Sequence, residues 1–134
     1  MDQLRLKRYW DKIDYIIQNV QSLNDDPQSE MEKKAIFYSI QTSIESAMDL
    51  IAMFLKDTGN EIGDNYENIE TMVKLGRINK KQAENLKKSN GLRNVLVHRY
   101  NGVDEKLVIE SINEVKEILY ILIKKIEGFL DEST

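Results

Sequence analysis

The apolar residues of this chain recur at spacings of three and four along most of its length, as they do on one face of an α-helix. No segment shows the period of two that is typical of a half-buried strand. One proline and six glycines are too few to separate many short strands. The sequence therefore predicts an all-α protein, an antiparallel bundle of four to five helices with short connections.

The predicted helices are separated by short polar turns. Pro27 suits a first helical turn, Gly76 a helix stop, and Asn79 and Asp104 suit N-caps. We predict helices over residues 2–23, 27–56, 67–75, 79–101 and 104–130. The predicted core stripes contain, among others, Tyr9, Ile13, Met31, Ala35, Ile44, Leu75, Leu92, Val95 and Leu96.

The last helix carries apolar side chains in every direction between Ile118 and Ile123. A central place in the bundle explains this pattern most simply, and a dimer interface is the alternative. These six residues are also the longest apolar run, far too short to span a membrane. The start of the chain is charged and no apolar run follows it, so we expect no secretory signal. We therefore expect a cytoplasmic protein with no membrane association.

The length of 134 residues predicts a single domain over residues 1–134. The absence of cysteine excludes a disulfide scaffold, thiolate zinc sites and thiol nucleophiles. No motif for a cofactor or a metal ion is present, so none is expected.

The charge is unevenly distributed. The chain has a net charge of -4, which argues against binding nucleic acid by bulk attraction. Residues 74–100 nevertheless hold eight basic residues and one acidic residue, so this segment carries +7 and the remainder -11. A basic segment in an acidic protein indicates a local site for a polyanion.

Four polar residues with useful chemistry lie at the end of this basic segment. On a helical projection Arg93, Asn94, His98 and Tyr100 point away from the stripe of Leu92, Val95 and Leu96, over an arc of about 160°. Arginine can grip a phosphate bidentately, and histidine can act as acid or base near neutral pH. Tyrosine can stack on a base. Together they suit cleavage of RNA by its own 2′-hydroxyl, with a two-fold dimer supplying a second His98.

The spacing of Arg93, His98 and Tyr100 matches the R-x4-H-x-Y motif of HepT-like ribonuclease toxins in the HEPN superfamily. The surrounding stretch GLRNVLVHRYNGVDEKLV closely resembles the most characteristic segment of that family. The resemblance extends to the helix order, to Ile44-Glu45 and residues 49–52 in the second helix, and to the start of the final helix at Asp104.

The resemblance implies a five-helix HEPN bundle, a homodimer with a composite cleft, and a metal-independent RNA endonuclease of a type VII-like toxin–antitoxin system. Arg93 and His98 would be catalytic, with Asn94 and Tyr100 in support. It also implies a nucleotidyltransferase antitoxin that silences the toxin by AMPylation of Tyr100. Such a modification would place a phosphate and a base where RNA must pass.

Five further residues are candidates for the same site. Lys87, Lys88 and Arg99 are candidate RNA contacts, although the lysines would serve equally as solvated surface charges. Glu45 and Asp49 are four apart at the edge of the second helix, where they could support Arg93 and His98 or pair with surface lysines. A metal site is not expected there.

Two functions are compatible with this face of the molecule. The first is the toxin ribonuclease. The alternative is a non-catalytic helical subunit that binds substrate for, or regulates, a minimal nucleotidyltransferase. The two differ in whether His98 is required for loss of RNA.

Overall fold

The computed structural model describes residues 1–98 and 100–133, apart from the side chains of Tyr100 and Ser133. Within these residues the chain forms helices and no strands, which confirms the predicted all-α fold. A 3-10 turn over Tyr100–Gly102 follows the fourth helix. The six α-helices are α1 (Gln3–Gln21), α2 (Glu30–Asp57), α3 (Asn65–Lys74), α4 (Lys80–His98), α5 (Glu105–Glu110) and α6 (Ile112–Ser133).

Side-chain caps define where most helices begin. Asp64 accepts the amide of Glu67 at 2.8 Å, and the Glu67 side chain returns to the Asp64 amide to complete a capping box. Asn79 and Asp104 cap α4 and α5, as predicted. Gly76 follows α3 with a φ of 72°, in the left-handed region where glycine carries no steric cost, so the predicted helix stop is confirmed.

Two predicted helix starts are wrong. The second helix begins at Glu30 rather than Pro27, because the hydroxyl of Ser29 caps it by accepting the amide of Glu32 at 3.0 Å. Met31 lies in the first turn and is 82% exposed, so its predicted place in the core is wrong. The third helix begins at Asn65, before the predicted start at residue 67 or 68, because Asp64 caps it.

The predicted final helix is divided in two. α5 ends at Glu110, and the hydroxyl of its C-cap residue, Ser111, donates to the carbonyl oxygen of Val108 at 2.7 Å. A serine that bonds its own backbone competes with the helical pattern and allows a change of direction. α6 then begins at Ile112.

α6 buries most of its apolar run within the bundle, although Tyr120 in that run is 38% exposed. The side chains of Ile118, Leu119, Leu122 and Ile123 are all buried, and the helix packs against α1, α2 and α4. A homodimer therefore stays a prediction, since packing within one chain accounts for these residues. No helix in the described part of the chain is long and apolar enough to cross a membrane.

The 28 residues of α2 run the length of the bundle, with α1 on one side and α4 on the other. One stripe of this helix stays outside the core and is called here the outer face of α2: Lys34, Tyr38, Glu45, Asp49 and Lys56. Ala35 lies beside this stripe and is exposed, contrary to prediction. Arg93 of α4 contacts the middle of the outer face at Glu45.

Candidate functional site

Arg93 is held at the contact between α4 and α2. Its Nε donates to Oε1 of Glu45 at 3.3 Å, and its Nη1 donates to Oδ1 of Asn94 at 3.0 Å. The Arg93 and Glu45 side chains are 28% and 37% exposed. Since a guanidinium has five N–H donors, these two bonds orient it and leave donors for a second anion.

The prediction that Arg93 points away from the core is wrong. The buried face of α4 runs through Leu86, Ser89, Asn90 and Leu96, and Arg93 lies on that side of the helix, facing α2. Val95, predicted to be buried, is exposed. Two polar residues, Ser89 and Asn90, take the place that the prediction gave to apolar side chains. Asn90 is satisfied by Asn65 of α3, whose Nδ2 donates to its Oδ1 at 3.1 Å.

His98 is the last residue of α4 and is exposed, as predicted. It lies five residues beyond Arg93, which places the two side chains at different angles on the same helix. Tyr100 begins the 3-10 turn, so the α-helical angle expected for it does not apply. The Tyr100 side chain and the whole of Arg99 lie outside the described residues.

Glu45 and Asp49 have different partners. Glu45 contacts Arg93, as the supporting interpretation expected. Asp49 accepts from Nζ of Lys12 on α1 at 3.1 Å, as the alternative of surface lysine pairs expected. The two carboxylates thus connect the outer face of α2 to a basic residue on each side.

Gln41 is a contact that the sequence interpretation missed. Its Nε2 donates to the same Glu45 oxygen that accepts Arg93, at 3.0 Å. The signal was the four-residue spacing of Gln41 and Glu45, which places them one turn apart on α2. This bond holds the carboxylate that holds Arg93.

A cavity of about 300 Å³ adjoins Gln41 between α2 and α4. It combines an exposed aromatic ring and a cation with an apolar floor, so the surface beside Arg93 is not uniformly charged. Its lining residues are Lys34, Phe37, Tyr38, Gln41 and Leu96.

The two candidate lysines of α4 differ. Lys87 forms a salt bridge with Glu70 of α3, and this hydrogen bond holds the pKa of Glu70 below its usual range. Lys88 is exposed. Within the described ranges no three His, Asp or Glu side chains form a group that could hold a metal ion.

The fold and the site define a helical bundle with an anchored arginine and an exposed histidine at the end of its most basic helix. A family model described as "Ribonuclease HepT-like" matches residues 6–126. The chain belongs to the HepT-like ribonuclease family, which confirms the resemblance seen in the sequence and the expectation of an RNA-cleaving enzyme.

A relative named "Putative RNase" from Archaeoglobus fulgidus is 45% identical over 129 residues, which cover 96% of this chain and 98% of the relative. A second protein of that name and organism is 32% identical over 125 residues, covering 92% of this chain and 95% of the relative. Both relatives are therefore matched over nearly their whole length.

Two solved structures share the fold. One is a toxin–antitoxin complex with AMP-PNP, with a TM-score of 0.79 and 19% identity, covering 94% of this chain and 99% of that one. The other is a tri-AMPylated Shewanella oneidensis HEPN toxin in complex with an MNT antitoxin, with a TM-score of 0.77 and 19% identity, covering 96% and 99% of the two chains. They confirm the predicted HEPN-type bundle.

Proposed function

We propose that this chain, as one helical domain over residues 1–134, is a metal-independent endoribonuclease toxin that a nucleotidyltransferase antitoxin neutralises. The observation that carries the proposal is the anchored guanidinium of Arg93 on the helix that ends in the exposed His98. Membership in a ribonuclease family supplies the substrate class.

Arg93 would bind the scissile phosphate. Glu45 and Asn94 fix the orientation of the guanidinium before substrate arrives, so that little reorganisation is needed as charge grows on the phosphate oxygens. The remaining N–H donors suit a bidentate contact with two of those oxygens.

His98 would transfer protons. As a base it takes the proton of the RNA 2′-hydroxyl, and the 2′-oxygen then attacks the adjacent phosphorus. The bond from phosphorus to the 5′-oxygen breaks, and that oxygen leaves with a proton from an acid. The products are a 2′,3′-cyclic phosphate and a 5′-hydroxyl.

The second proton-transfer group is supplied, in this proposal, by a second copy of the chain. Each chain has one histidine, and a two-fold dimer that brings the ends of two α4 helices together provides two. The site would then be a cleft between the copies, and Arg93 and His98 would act in the same cleft.

Tyr100 is the proposed site of AMPylation. It lies directly after the basic helix, two residues beyond His98. An AMP group there would add negative charge and bulk at the end of the basic helix and compete with RNA phosphate. The structural neighbour that is a tri-AMPylated HEPN toxin in complex with an antitoxin supports AMPylation as the modification, and the motif supports Tyr100 as its site.

The test is cleavage of a labelled single-stranded RNA by the purified protein in EDTA, with His98→Ala alongside. We expect cleavage by the wild type and none by the variant, which should melt at the wild-type temperature because His98 is exposed. Intact RNA with both proteins, at an unmodified intact mass, would overturn the proposal in favour of a non-catalytic subunit. A mass increased by whole AMP units would mean a silenced preparation, to be repeated with Tyr100→Phe.

A further inference from the structure

A second concentration of positive charge lies outside the basic segment of residues 74–100. A groove of about 330 Å³ between α1 and α2 is lined by four cations and one carboxylate, with an apolar floor. The part of the chain outside residues 74–100 has a net charge of -11, so a cluster of four cations is an exception to the acidic composition of this part. The lining residues are Arg5, Arg8, Lys12, Asp49, Ala52, Met53, Lys56 and Ile62.

The groove continues directly from the candidate site. Glu45, which holds Arg93, and Asp49, which lines the groove, lie one turn apart on the outer face of α2. Lys56 lies two further turns along the same face. From Glu45 to Lys56 the helix rises about 16 Å, a length that a few nucleotides of single-stranded RNA can follow.

Two of the four cations are free to meet a ligand. Arg5 is engaged by Asp57 at 2.8 Å, and Lys12 by Asp49 at 3.1 Å. Arg8 and Lys56 are exposed and form no salt bridge within residues 1–98 and 100–133. They are contributed by different helices, so they face the groove from two walls.

We infer that this groove binds the RNA backbone beyond the scissile nucleotide, with Arg8 and Lys56 each contacting a phosphate. The inference rests on the proposed function and extends it from one phosphate to a strand. Cations on the two walls of an open groove are an arrangement that follows a phosphate backbone without reading bases. The apolar floor of Ala52, Met53 and Ile62 leaves room for a sugar without a polar group to satisfy.

The experiment compares two charge-neutralised pairs. Arg8→Gln/Lys56→Gln alters the groove, and Lys124→Gln/Lys125→Gln removes the same charge from exposed positions of α6 outside both the groove and the candidate site. Both pairs are placed in the His98→Ala chain, and binding of a fluorescent ten-nucleotide RNA is measured over a series of salt concentrations. Thermal melting verifies that both pairs are folded.

Loss of two phosphate contacts should weaken binding about 25-fold at 0.1 M salt and reduce the slope of log affinity against log salt by about 1.4. The α6 pair should bind as the parent does. With His98 intact, the groove pair should raise KM for the ten-nucleotide RNA and leave kcat and dinucleotide cleavage unchanged, because a dinucleotide does not reach the groove.

Equal RNA affinity for the groove pair and its parent would overturn the inference, as would an equal loss with the α6 pair. Unchanged RNA affinity with lost capture of the nucleotidyltransferase would also overturn it and assign the groove to a protein. If the wild type cleaves RNA and the groove pair binds RNA as tightly as its parent, the inference about the groove is wrong and the proposed function is retained. If wild type of unmodified mass does not cleave, the proposed function fails, and the binding measurement still decides whether the groove binds RNA.

Discussion

Two arginine–carboxylate pairs tie neighbouring helices to α2, and they serve different ends. Arg5 of α1 reaches Asp57 through Nε at 2.8 Å, and Arg93 of α4 reaches Glu45 through Nε at 3.3 Å. The donor atom, the acceptor group and the central helix are the same. The surroundings differ, and they separate a structural contact from a candidate catalytic one.

The Arg5–Asp57 pair is the less exposed of the two. The hydroxyl of Tyr9, whose side chain is fully buried, donates to the same carboxylate oxygen at 2.6 Å. Burial, and then the Asp57 bond, raises the pKa of Tyr9 well above its ordinary value. Burial alone would raise the pKa of Asp57, but the bonds from Arg5 and Tyr9 hold it below its ordinary value. Both side chains of this pair are only about a fifth exposed (21% and 20%), and a buried tyrosine shares the carboxylate, so the contact serves to hold α1 against α2.

The Arg93–Glu45 pair is the more exposed of the two. Its bond is longer, its carboxylate is more exposed, and the exposed His98 ends the same helix. A partly engaged guanidinium at the surface can accept a phosphate without breaking the contact that orients it. The two pairs therefore differ in their exposure and in their neighbours rather than in their chemistry.

The largest effect expected is on cleavage. Arg93→Ala should reduce the rate of RNA cleavage about a thousandfold, because it removes the group that meets the developing phosphate charge. Its free energy of unfolding should fall by no more than about 1 kcal/mol, since the pair is partly exposed. Single-turnover cleavage and urea unfolding measure the two. An Arg93→Ala variant that was strongly destabilised and retained cleavage would show that the Arg93–Glu45 pair is structural rather than catalytic.

Tyr9→Phe should give the opposite result. It keeps the ring that packs edge-on against Phe129 and removes the hydroxyl bonded to Asp57. We expect the free energy of unfolding to fall by about 2 kcal/mol, as for a buried hydrogen bond to a charged group. Cleavage per folded molecule should be unchanged in the same RNA assay. Loss of cleavage without loss of stability would contradict the structural assignment of this pair.

Glu45→Gln tests whether Glu45 acts by orienting the guanidinium of Arg93. Glutamine keeps an oxygen for Arg93 but loses the charge, so kcat should fall about tenfold with KM nearly unchanged. Glu45→Ala should lower kcat further, and the difference between the two variants reports the orienting bond. A raised KM at constant kcat would indicate that Glu45 affects ground-state binding instead.

The smallest effect concerns pH. Because the pKa of Asp57 is lower in the folded chain than in the unfolded chain, its contribution to stability is complete above about pH 4 and is lost as the pH falls through the folded value. The stability difference between wild type and Asp57→Asn, on the order of 1 kcal/mol, should therefore shrink below pH 4. Urea unfolding from pH 7 to pH 3 measures this difference. A difference that persisted at pH 3 would show that packing, not charge, sets the cost.

The helices were predictable because they depend on local pattern, and Arg93 and His98 were picked out by a motif, with roles that stay a prediction. The direction of Arg93 was not predictable. Because Ser89 and Asn90 are polar, the local pattern does not predict that they lie on the buried face of α4. Asn90 is hydrogen-bonded there by Asn65 of α3, and the local pattern of α4 does not contain that contact. The sequence offered both kinds of partner for Glu45 and Asp49, but not which residue takes which partner. Both lie on the outer face of α2, and only helix packing decides which basic residue meets each.

The division of the last helix at Ser111 has a similar cause. Ser111 could continue the helix, or it could end the helix with its hydroxyl bonded to the Val108 carbonyl oxygen. Packing of α6 against α1, α2 and α4 decides between them. A single sequence does not contain that information.

The central claim is that Arg93 and His98 direct the RNA 2′-hydroxyl against its own phosphate. The most direct measurement compares an all-RNA strand with the same strand carrying 2′-deoxy sugars, in EDTA, with analysis of the product ends. The account predicts 2′,3′-cyclic phosphate ends from RNA, no cleavage of the 2′-deoxy strand, and no products with His98→Ala. Cleavage of the 2′-deoxy strand, or 3′-hydroxyl ends from RNA, would contradict it.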